Sequence, residues 1–195
     1  MTADRPVAAL VLAAGGGRRY GMPKALVEYE GSLLVERAVR TAGAVCDPVL
    51  VVLGAQAVDV WRQADLAGAT VLANADWETG MASSLRTGLE GLRGWPGRVD
   101  AVLVTLVDMP GMTPGALERT AQHAAPDALA VATYDGVRSH PVLLGREHWA
   151  GVVATATGDE GARRYLQERD VTEVDCTGLA DPTDLDVPPG TPPGS

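Results

Sequence analysis

The segment from Val7 to Leu26, VAALVLAAGGGRRYGMPKAL, decides the fold that we expect. It begins with a continuous apolar run, Val7 to Ala14, which is typical of a strand buried in a parallel sheet. The three glycines that follow allow positive φ angles and let a ligand come close to the backbone N–H groups. Arg18, Arg19 and Lys24 add positive charge beside them. Such a loop suits a polyphosphate, because both the donors and the cations stabilise phosphoryl oxygens.

The segment matches neither of the two familiar phosphate loops. A P-loop carries Ser or Thr after its lysine, whereas Lys24 is followed by Ala25. The dinucleotide fingerprint opens directly into a helix, but the glycines at 15–21 have a different spacing and Pro23 interrupts the segment. The alternative is a flexible glycine turn with surface arginines. We favour phosphate binding, since glycines, arginines and lysine fall together behind a buried strand.

Composition limits the class of protein. The 195 residues, 46% of them hydrophobic, suffice for one domain with a substantial core. A net charge of −9 without a basic tract argues against nucleic acid as a partner. The N-terminal apolar run is too short to span a membrane and lacks a signal-peptide cleavage pattern, so we expect a cytoplasmic protein without a membrane partner. The two cysteines and three histidines form neither a disulfide framework nor a metal motif.

The rest of the chain alternates between apolar strands and amphipathic helices. The pattern predicts strands at 48–53, 70–73, 100–107, 128–134 and 171–174, the last at a sheet edge, and helices at 33–43, 55–66, 82–92 and 114–124. Ser32 and Thr113 are the expected N-caps. The alternation predicts an α/β fold, a single-domain, doubly wound, Rossmann-like sheet that is mostly parallel. We place the domain at 1–189 and a disordered tail rich in Pro and Gly at 190–195.

Two groups of polar residues follow these elements at positions suited to ligands. Asp108 comes directly after the strand at 100–107, where open α/β sheets bind ligands, and its carboxylate suits Mg²⁺ that carries phosphates. The alternative is that Asp108 only caps a turn before Pro110. Ser83 and Ser84 begin a helix, where unpaired N–H groups and the helix dipole favour anions. Their hydroxyls are equally suited to serve only the backbone.

The segment from Leu12 to Lys24 resembles the signature L-A-A-G-x-[SG]-x-R-M-G-x-x-K of the MobA-like nucleotidyltransferases, with Tyr20 in place of the usual Met. This family includes the enzymes that attach a nucleotide to molybdopterin cofactors. The pair Ala13-Ala14 is similar to the cytidylyltransferase branch, whereas the guanylyltransferase branch usually has Ala-Gly-Gly there. The resemblance implies a fold like that of the nucleotide-diphospho-sugar transferases.

Further segments are similar to motifs of the same family. The segment 74–84 resembles N-x-x-W-x-x-G-M-x-x-S, and the residues after the strand at 100–107 resemble D-x-P. The segment 135–144, DGVRSHPVLL, resembles G-x-x-G-H-P-V-L with Ser139 in place of the second glycine. The segment 158–163 resembles G-D-x-G-A-R, and by its residues alone it opens a helix with acids in the first turn. The segment 184–189 resembles D-I-D-T-P-E-D.

The resemblance implies which positions form the site. Arg19, Lys24 and Asp108 are implied as catalytic, and Asp108 and Asp186 as metal ligands, with Asp181 in a competing register for the second ligand. The positions implied in nucleotide binding are Leu12, Ala13, Ala14, Gly15, Gly16, Gly17, Lys24, Asn74, Gly80, Ser84 and Asp108. Acids that merely solvate a flexible tail are the alternative for the last segment.

The second substrate is implied to contact His140, Pro141 and Arg163. A histidine before proline is otherwise more often structural, and a solvated surface role is equally open for Arg163. We give His140 no role in proton transfer, because phosphoryl transfer needs little acid–base chemistry from the protein.

The implied function is Mg²⁺-dependent transfer of a nucleotide, with CMP from CTP favoured, to a phosphorylated acceptor of the molybdopterin type. A phosphate oxygen of the acceptor attacks in line and pyrophosphate leaves, so no side-chain nucleophile is needed. A molybdenum hydroxylase is an expected partner. One alternative is transfer to a sugar phosphate or another small phosphorylated acceptor. The other is a non-catalytic accessory protein that binds the cofactor for a molybdenum hydroxylase.

Overall fold

Strands and helices alternate along the chain. The structure, a computed structural model, describes residues 6–17 and 20–186. Its strands are β1 Val7–Ala13, β2 Glu28–Tyr29, β3 Ser32–Leu33, β4 Val49–Leu53, β5 Ala69–Ala73, β6 Ala101–Leu106, β7 Leu129–Tyr134, β8 Val137–Gly145 and β9 Thr172–Asp175. Its helices are α1 Leu34–Gly43, α2 Ala57–Gln63, α3 Met81–Arg93, α4 Pro114–Ala121, α5 Trp149–Thr155 and α6 Arg163–Gln167. Short 3-10 helices cover Lys24–Leu26, Trp77–Thr79 and Arg146–His148.

Seven of the strands form one sheet in the order β5-β4-β1-β6-β8-β7-β9. β1 lies between β4 and β6 and is parallel to both. β8 is antiparallel to its neighbours β6 and β7, and β9 lies parallel to β7 at the sheet edge. The predicted α/β fold with a mostly parallel sheet is therefore confirmed. The carboxyl ends of β1, β4 and β6 lie side by side along one end of the sheet, which we call its carboxyl edge. Ligands bind at this position in folds of this kind.

The sheet is buried on both faces, because alternate residues of β1 enter two separate apolar clusters. Val11 and Ala13 pack in one cluster, together with residues of α1. Leu10 and Leu12 pack in the other, together with Leu89 of α3. A strand that buries both faces has no polar alternation, which explains the continuous apolar run at the start of the sequence.

The expected cap of the first helix is wrong. Ser32 lies in β3, which pairs with β2 in a short antiparallel hairpin rather than preceding the helix as a cap. The backbone N–H of Leu33, the residue before the helix, donates instead to the carboxylate of Glu36 at 3.1 Å. The other expected cap is confirmed, since the hydroxyl of Thr113 accepts from the backbone N–H of Ala116.

The segment at 158–163 does not open a helix, although its acids predict one. α6 begins only at Arg163, and the acids at 159 and 160 lie in the turn before it. Gly158 and Gly161 have φ angles of +52° and +54°, which a helix does not allow. The segment is therefore a glycine turn, and the carboxylate of Asp159 in it accepts from the backbone N–H of Met81.

Some expectations fall outside the described residues. These are the catalytic role of Arg19, the end of the domain at 189 and the tail at 190–195. Within the described part of the chain, no helix has the length and apolar character needed to cross a membrane.

Candidate active site

The glycine loop leaves β1 at the carboxyl edge of the sheet and turns tightly. The backbone N–H groups of Tyr20 and Gly21 donate to the carbonyl of Gly17 at 2.8 and 2.9 Å. Gly17 has a φ angle of +58°, and the carbonyl of Met22 fills the place where a side chain would begin. Only glycine fits this position. The turn delivers the chain to the 3-10 helix that starts at Lys24.

Lys24 joins two aspartates that are distant in sequence. Its ammonium donates to Asp108 Oδ2 at 2.7 Å and to Asp186 Oδ1 at 2.9 Å. The side chains of Lys24 and Asp108 are 16% and 21% exposed, whereas that of Asp186 is 55% exposed. Lys24 is also the only lysine in the sequence. The contact places one cation and two carboxylates at the carboxyl edge of the sheet, beside the glycine loop.

A C-terminal strap, residues 179–186, lies along the loop that follows β6. The hydroxyl of Thr113 donates to the carbonyl of Leu179 at 2.7 Å. The backbone N–H of Leu185 donates to the carbonyl of Asp108 at 2.8 Å. Because Leu185 is bonded to the backbone of Asp108, the next residue of the strap, Asp186, comes within reach of the same cluster.

Asp181, the competing candidate for the second metal ligand, lies elsewhere on the strap. Its backbone N–H donates to the carbonyl of Gly111 at 3.2 Å, and its carboxylate accepts from the backbone N–H of Thr183 at 2.9 Å. The side chain of Asp181 therefore closes a local turn. The geometry favours Asp186 over Asp181, because Asp186 is the one that contacts Lys24.

The cluster keeps its lysine charged and carries excess negative charge. Burial alone lowers the pKa of Lys24, but its hydrogen bonds to Asp108 and Asp186 outweigh burial and hold the pKa above its ordinary value of 10.5. Burial, followed by the nearby negative charges of Asp108 and Asp186, raises the pKa of Asp184. The negative charges that help to raise the pKa of Asp184 also favour the arrival of another cation.

A cavity of about 240 Å³ lies over the glycine loop and reaches this cluster. We call it the loop cavity. The lining residues that the sequence predicted are Leu12, Ala14, Gly15, Gly17, Lys24, Ser84 and Asp108. The remaining lining residues are Met81, Leu106, Val107 and Asp159. The glycine loop forms one wall, and Lys24 and Asp108 of the cluster form another.

A larger cavity of about 490 Å³ adjoins the loop cavity and shares lining residues with it, among them Leu12 and Asp159. We call it the wide cavity. One wall of this cavity is apolar and consists of Leu12, Val104, Leu106, Val131 and Val142 from the sheet, together with Leu85 of α3 and Leu166 of α6. Polar groups also line it, among them the predicted acceptor residues His140 and Arg163. The cavity therefore combines an extended apolar surface with a few polar groups.

His140 contributes a neutral imidazole to the wide cavity. Burial lowers its pKa to about 4, although the negative charge of Asp108 acts in the opposite direction. At neutral pH the ring is therefore uncharged and offers one hydrogen-bond donor and one acceptor. The ring lies close enough to the carboxylate cluster for the charge of Asp108 to act on its pKa.

Asn74 connects the start of α3 to the strand before it. Its buried side-chain amide donates to the hydroxyls of Ser83 and Ser84 at 2.8 and 3.0 Å. The hydroxyl of Ser83 in turn bonds backbone carbonyls, including that of Gly80 at 2.8 Å. Ser83 therefore serves the backbone, as the alternative interpretation held. Ser84, in contrast, is held by Asn74 in the wall of the loop cavity.

The start of α3 is already bonded within the protein. The backbone N–H of Met81 donates to the carboxylate of Asp159 at 3.2 Å, and that of Ala82 donates to the carbonyl of Gly158 at 2.8 Å. A Cβ on Gly80 would lie 2.5 Å from the carbonyl of Gly158, so the glycine turn packs directly on the helix. An anion at this helix end would have to displace Asp159.

Comparison with known proteins identifies the family. The model of the MobA-like NTP transferase domain matches residues 9–174. The chain belongs to this family. Lys24 and Asp108 lie inside the matched region, whereas Asp186 lies beyond it. The family assignment agrees with the resemblance of the glycine loop and of the D-x-P segment.

The proteins similar to this chain have different names. The chain is 34% identical to the nicotine blue oxidoreductase of Paenarthrobacter nicotinovorans, and the match covers 93% of this chain and 92% of that protein. It is 26% identical to Rv0371c of Mycobacterium tuberculosis H37Rv in complex with manganese, with a TM-score of 0.76 over 93% of this chain and 94% of that chain.

The fold extends to more distant proteins. The 2-C-methyl-D-erythritol 4-phosphate cytidylyltransferase of Thermus thermophilus superposes with a TM-score of 0.66 at 20% identity, over 96% of this chain and 94% of that chain. At this identity the similarity shows the fold alone. The chain has the nucleotide-diphospho-sugar transferase fold that the resemblance implied.

The structure does not bring every predicted residue into contact with a cavity. Ala13, Gly16, Asn74, Gly80, Pro141 and Asp186 line neither the loop cavity nor the wide cavity. Gly16 faces away from the loop cavity, against the side chain of Trp77. Asn74 acts on the loop cavity through Ser84, which it holds in the wall, and Asp186 reaches the cavity only through Lys24.

Sequence reasoning also missed residues that line the cavities. Asp159 and Asp184 each lie in a segment that resembles a motif of the family. The sequence nevertheless placed Asp159 only in the first turn of a helix and gave Asp184 no role. Both face the wide cavity. A signal was present for Asp184, since it is the first aspartate of the D-I-D-like segment whose second aspartate, Asp186, the sequence assigned to the metal.

The donor set fits a divalent cation that is held jointly with phosphates. No group of three or more His, Cys, Asp or Glu side chains within residues 6–17 and 20–186 is arranged to hold a metal ion. Mg²⁺ is commonly bound by one or two carboxylates, with substrate phosphates and water completing its shell. Asp108 and Asp186, bridged by Lys24, provide two such carboxylates beside the loop cavity.

Proposed function

We propose that the protein is a metal-dependent nucleotidyltransferase that transfers CMP from CTP to a phosphorylated acceptor with a molybdopterin-like ring system. The observation that carries this proposal is the contact of Lys24 with Asp108 and Asp186, beside a glycine loop at the carboxyl edge of the sheet. Binding of a nucleoside triphosphate by this family supports the first half of the proposal.

The triphosphate would bind in the loop cavity. Backbone N–H groups of the loop from Ala14 to Gly17 would meet the phosphates, because three glycines allow close approach without side chains. Lys24 would place its charge on the same phosphates once it leaves the carboxylates. Ser84, fixed by Asn74, would offer a hydroxyl from the opposite wall. These residues orient the α-phosphorus toward the wide cavity.

Asp108 and Asp186 would hold Mg²⁺ or Mn²⁺ on the triphosphate. A bound divalent cation neutralises the phosphates and the departing pyrophosphate. The protein supplies the two carboxylates, and the strap fixes one of them through the bond from Leu185 to Asp108. A phosphate oxygen of the acceptor would attack in line, so the chain needs to supply neither a nucleophile nor a strong base.

The wide cavity favours an acceptor with a ring system over a polyol. Its apolar wall would bury a flat ring, whereas the hydroxyls of a sugar phosphate would lose their hydrogen bonds to water there. Neutral His140 offers one donor and one acceptor to heteroatoms of such a ring. Arg163 adds positive charge for an anionic group of the acceptor. This distribution supports a molybdopterin-type acceptor, with a molybdenum hydroxylase as the protein that receives the product.

Pyrophosphate release tests the proposal. Each of the four ribonucleoside triphosphates would be incubated with Mg²⁺, with and without a molybdopterin acceptor. We expect acceptor-dependent release with CTP. Asp108→Asn should lower the rate by at least about a hundredfold, because charge stabilisation at the reacting phosphates is lost. Asp59→Asn, an exposed site on α2, is the matched control and should retain full activity.

Other outcomes would redirect the assignment. Release with a sugar phosphate in place of molybdopterin would keep the mechanism and change the acceptor. Binding of CTP and acceptor without release from any triphosphate would exclude catalysis and favour the accessory role.

The similarity to nicotine blue oxidoreductase favours a second candidate function. The match covers nearly the whole of both chains, and the apolar wall of the wide cavity would accept a flat conjugated molecule. A change in the absorbance of nicotine blue on incubation with the protein and an added two-electron donor tests this function. Asp108→Asn separates the two candidates, because reduction of a dye does not depend on a carboxylate that holds phosphates, whereas nucleotide transfer does.

A further inference from the structure

Trp77 lies behind the glycine loop, on the side away from the loop cavity. A Cβ on Gly54 would be 2.5 Å from Trp77 Cβ and 2.7 Å from its Cγ. A Cβ on Gly16 would be 3.0 Å from Trp77 Cζ3 and 3.1 Å from its Cη2. The indole therefore extends from Gly54 at its base to Gly16 at its outer edge. Both glycines leave room for the indole by lacking a side chain.

The turn after β4 supports the loop from the same side. The backbone N–H of Ala55 donates to the carbonyl of Ala14 at 3.0 Å. A Cβ on Gly54 would also lie 2.7 Å from that carbonyl. In contrast, a Cβ on Gly15 would meet nothing within 4 Å, because that residue faces the open loop cavity. The loop is packed on one side and open on the other.

Trp77 belongs to the segment 74–84, which also forms the wall of the loop cavity opposite the glycine loop. The backbone N–H of Asn74 donates to the carbonyl of Leu53 at 2.8 Å, and the N–H of Gly80 donates to the carbonyl of Trp77 at 3.2 Å. The side chain of Asn74 also fixes Ser84 in the wall of the loop cavity. The same short segment thus sets the support behind Gly16 and the wall across from it.

We propose that Trp77 is a positioning residue for the triphosphate, acting through Gly16. The outer edge of its indole keeps the glycine loop in the conformation whose N–H groups meet the phosphates. The proposal rests on the proposed nucleotide site, but the support of the loop exists without any ligand. Trp77 does not line either cavity, so it has no direct contact to offer the nucleotide or the acceptor.

Trp77→Phe removes the outer edge of the indole and keeps the Cβ and Cγ atoms that pack on Gly54. The matched control is Trp61→Phe, since Trp61 lies on α2 with 64% of its surface exposed. Hydrogen exchange of the free protein, followed over the peptide that covers 12–22, reports the loop directly. We expect faster exchange of that peptide in Trp77→Phe than in the wild type or in Trp61→Phe. Equal exchange in all three proteins would overturn the proposal.

Nucleotide binding gives the functional result. The dissociation constant of CTP with Mn²⁺ should rise by about tenfold in Trp77→Phe. In this variant the glycine loop is less ordered before binding, so part of the binding free energy is used to order it. Acceptor binding and the melting temperature of the unliganded protein should change little in comparison. If the wild type binds no nucleotide while the exchange difference remains, the proposed function fails and the structural role of Trp77 stands.

A double-mutant cycle tests the contact itself. Gly16→Ala places a methyl group against the edge of the indole and should weaken CTP binding. Combining it with Trp77→Leu makes room for that methyl group, so the double variant should bind CTP better than the sum of the two single effects predicts. Strict additivity would show that Trp77 and Gly16 do not act on each other, and would overturn the proposal.

Discussion

Replacing Lys24 by methionine is expected to raise the affinity for Mn²⁺ and, at the same time, to lower nucleotide transfer. In the unliganded protein the ammonium of Lys24 bonds both Asp108 and Asp186, the two carboxylates that we assign to the metal. The metal must therefore displace this ammonium or bind beside it. Methionine keeps the length and the apolar stem of lysine but contributes no charge.

The size of the effect follows from the charges. A divalent cation and an ammonium about 5 Å apart in a water-like dielectric repel each other by about 1.7 kcal/mol, or roughly 20-fold in affinity. This value is a lower limit on the repulsion, because Asp186 is 55% exposed but Lys24 only 16%. Part of the repulsion is relieved when the lysine moves away, so we expect Lys24→Met to bind Mn²⁺ about tenfold more tightly than the wild type.

Isothermal titration with Mn²⁺ in the absence of nucleotide measures this affinity. Asp108→Asn should lose most of the binding, which shows that the titration reports the proposed site. Lys24→Arg retains the charge and should stay close to the wild type. An affinity for Mn²⁺ that is unchanged or weaker in Lys24→Met would refute the reasoning. Pyrophosphate release by the same variant should fall, because no cation then moves from the carboxylates to the phosphates.

Two further predictions concern stability. Gly88→Ala on α3 should lower the free energy of unfolding by about 1–3 kcal/mol, because the new methyl group overlaps the side chain of Leu10. Gly43→Ala is the control, since the nearest atom to its new methyl group is 3.8 Å away, and it should have little effect. Urea titration measures both variants. Between about pH 6.5 and 4, unfolded chains bind a proton at His140 that the folded protein does not, so acid should lower the free energy of unfolding by at most about 3 kcal/mol. The value of about 3 kcal/mol is an upper limit, because His140 borders the open wide cavity. In urea titrations across this pH range, His140→Gln should reduce the loss of stability. His123→Gln, at an exposed site, is the control and should leave the loss unchanged.

The strands that carry the site were predictable, because a strand buried on both faces has an unbroken apolar sequence. This holds for β1 and β6, whose carboxyl ends carry the glycine loop and Asp108. The antiparallel position of β8 was missed, although a signal for its hairpin was present. The Asp135-Gly136 pair has φ angles of +51° and +79°, as a tight hairpin turn between β7 and β8 requires.

The contacts within the site were beyond sequence reasoning, because they join distant segments. Lys24 meets a partner 84 positions away and another 162 positions away. No local pattern reveals that the ammonium lies between two carboxylates. The role of Asp159 was hidden in the same way, since its carboxylate accepts from the backbone of Met81, in a different helix. Only the packing of the glycine turn on α3 makes that contact visible.

The single lysine gives the protein an unusual chemical property. Because Lys24 carries its only side-chain amine, an acylating reagent has one internal target besides the chain terminus. An ammonium with a raised pKa that is bonded to two carboxylates acylates slowly, since only the free amine reacts. A cation that takes over those carboxylates frees the amine, and a bound triphosphate covers it again. The rate at which the Lys24 amine is acylated thus reports whether metal or triphosphate occupies the site, and the measurement does not require catalysis.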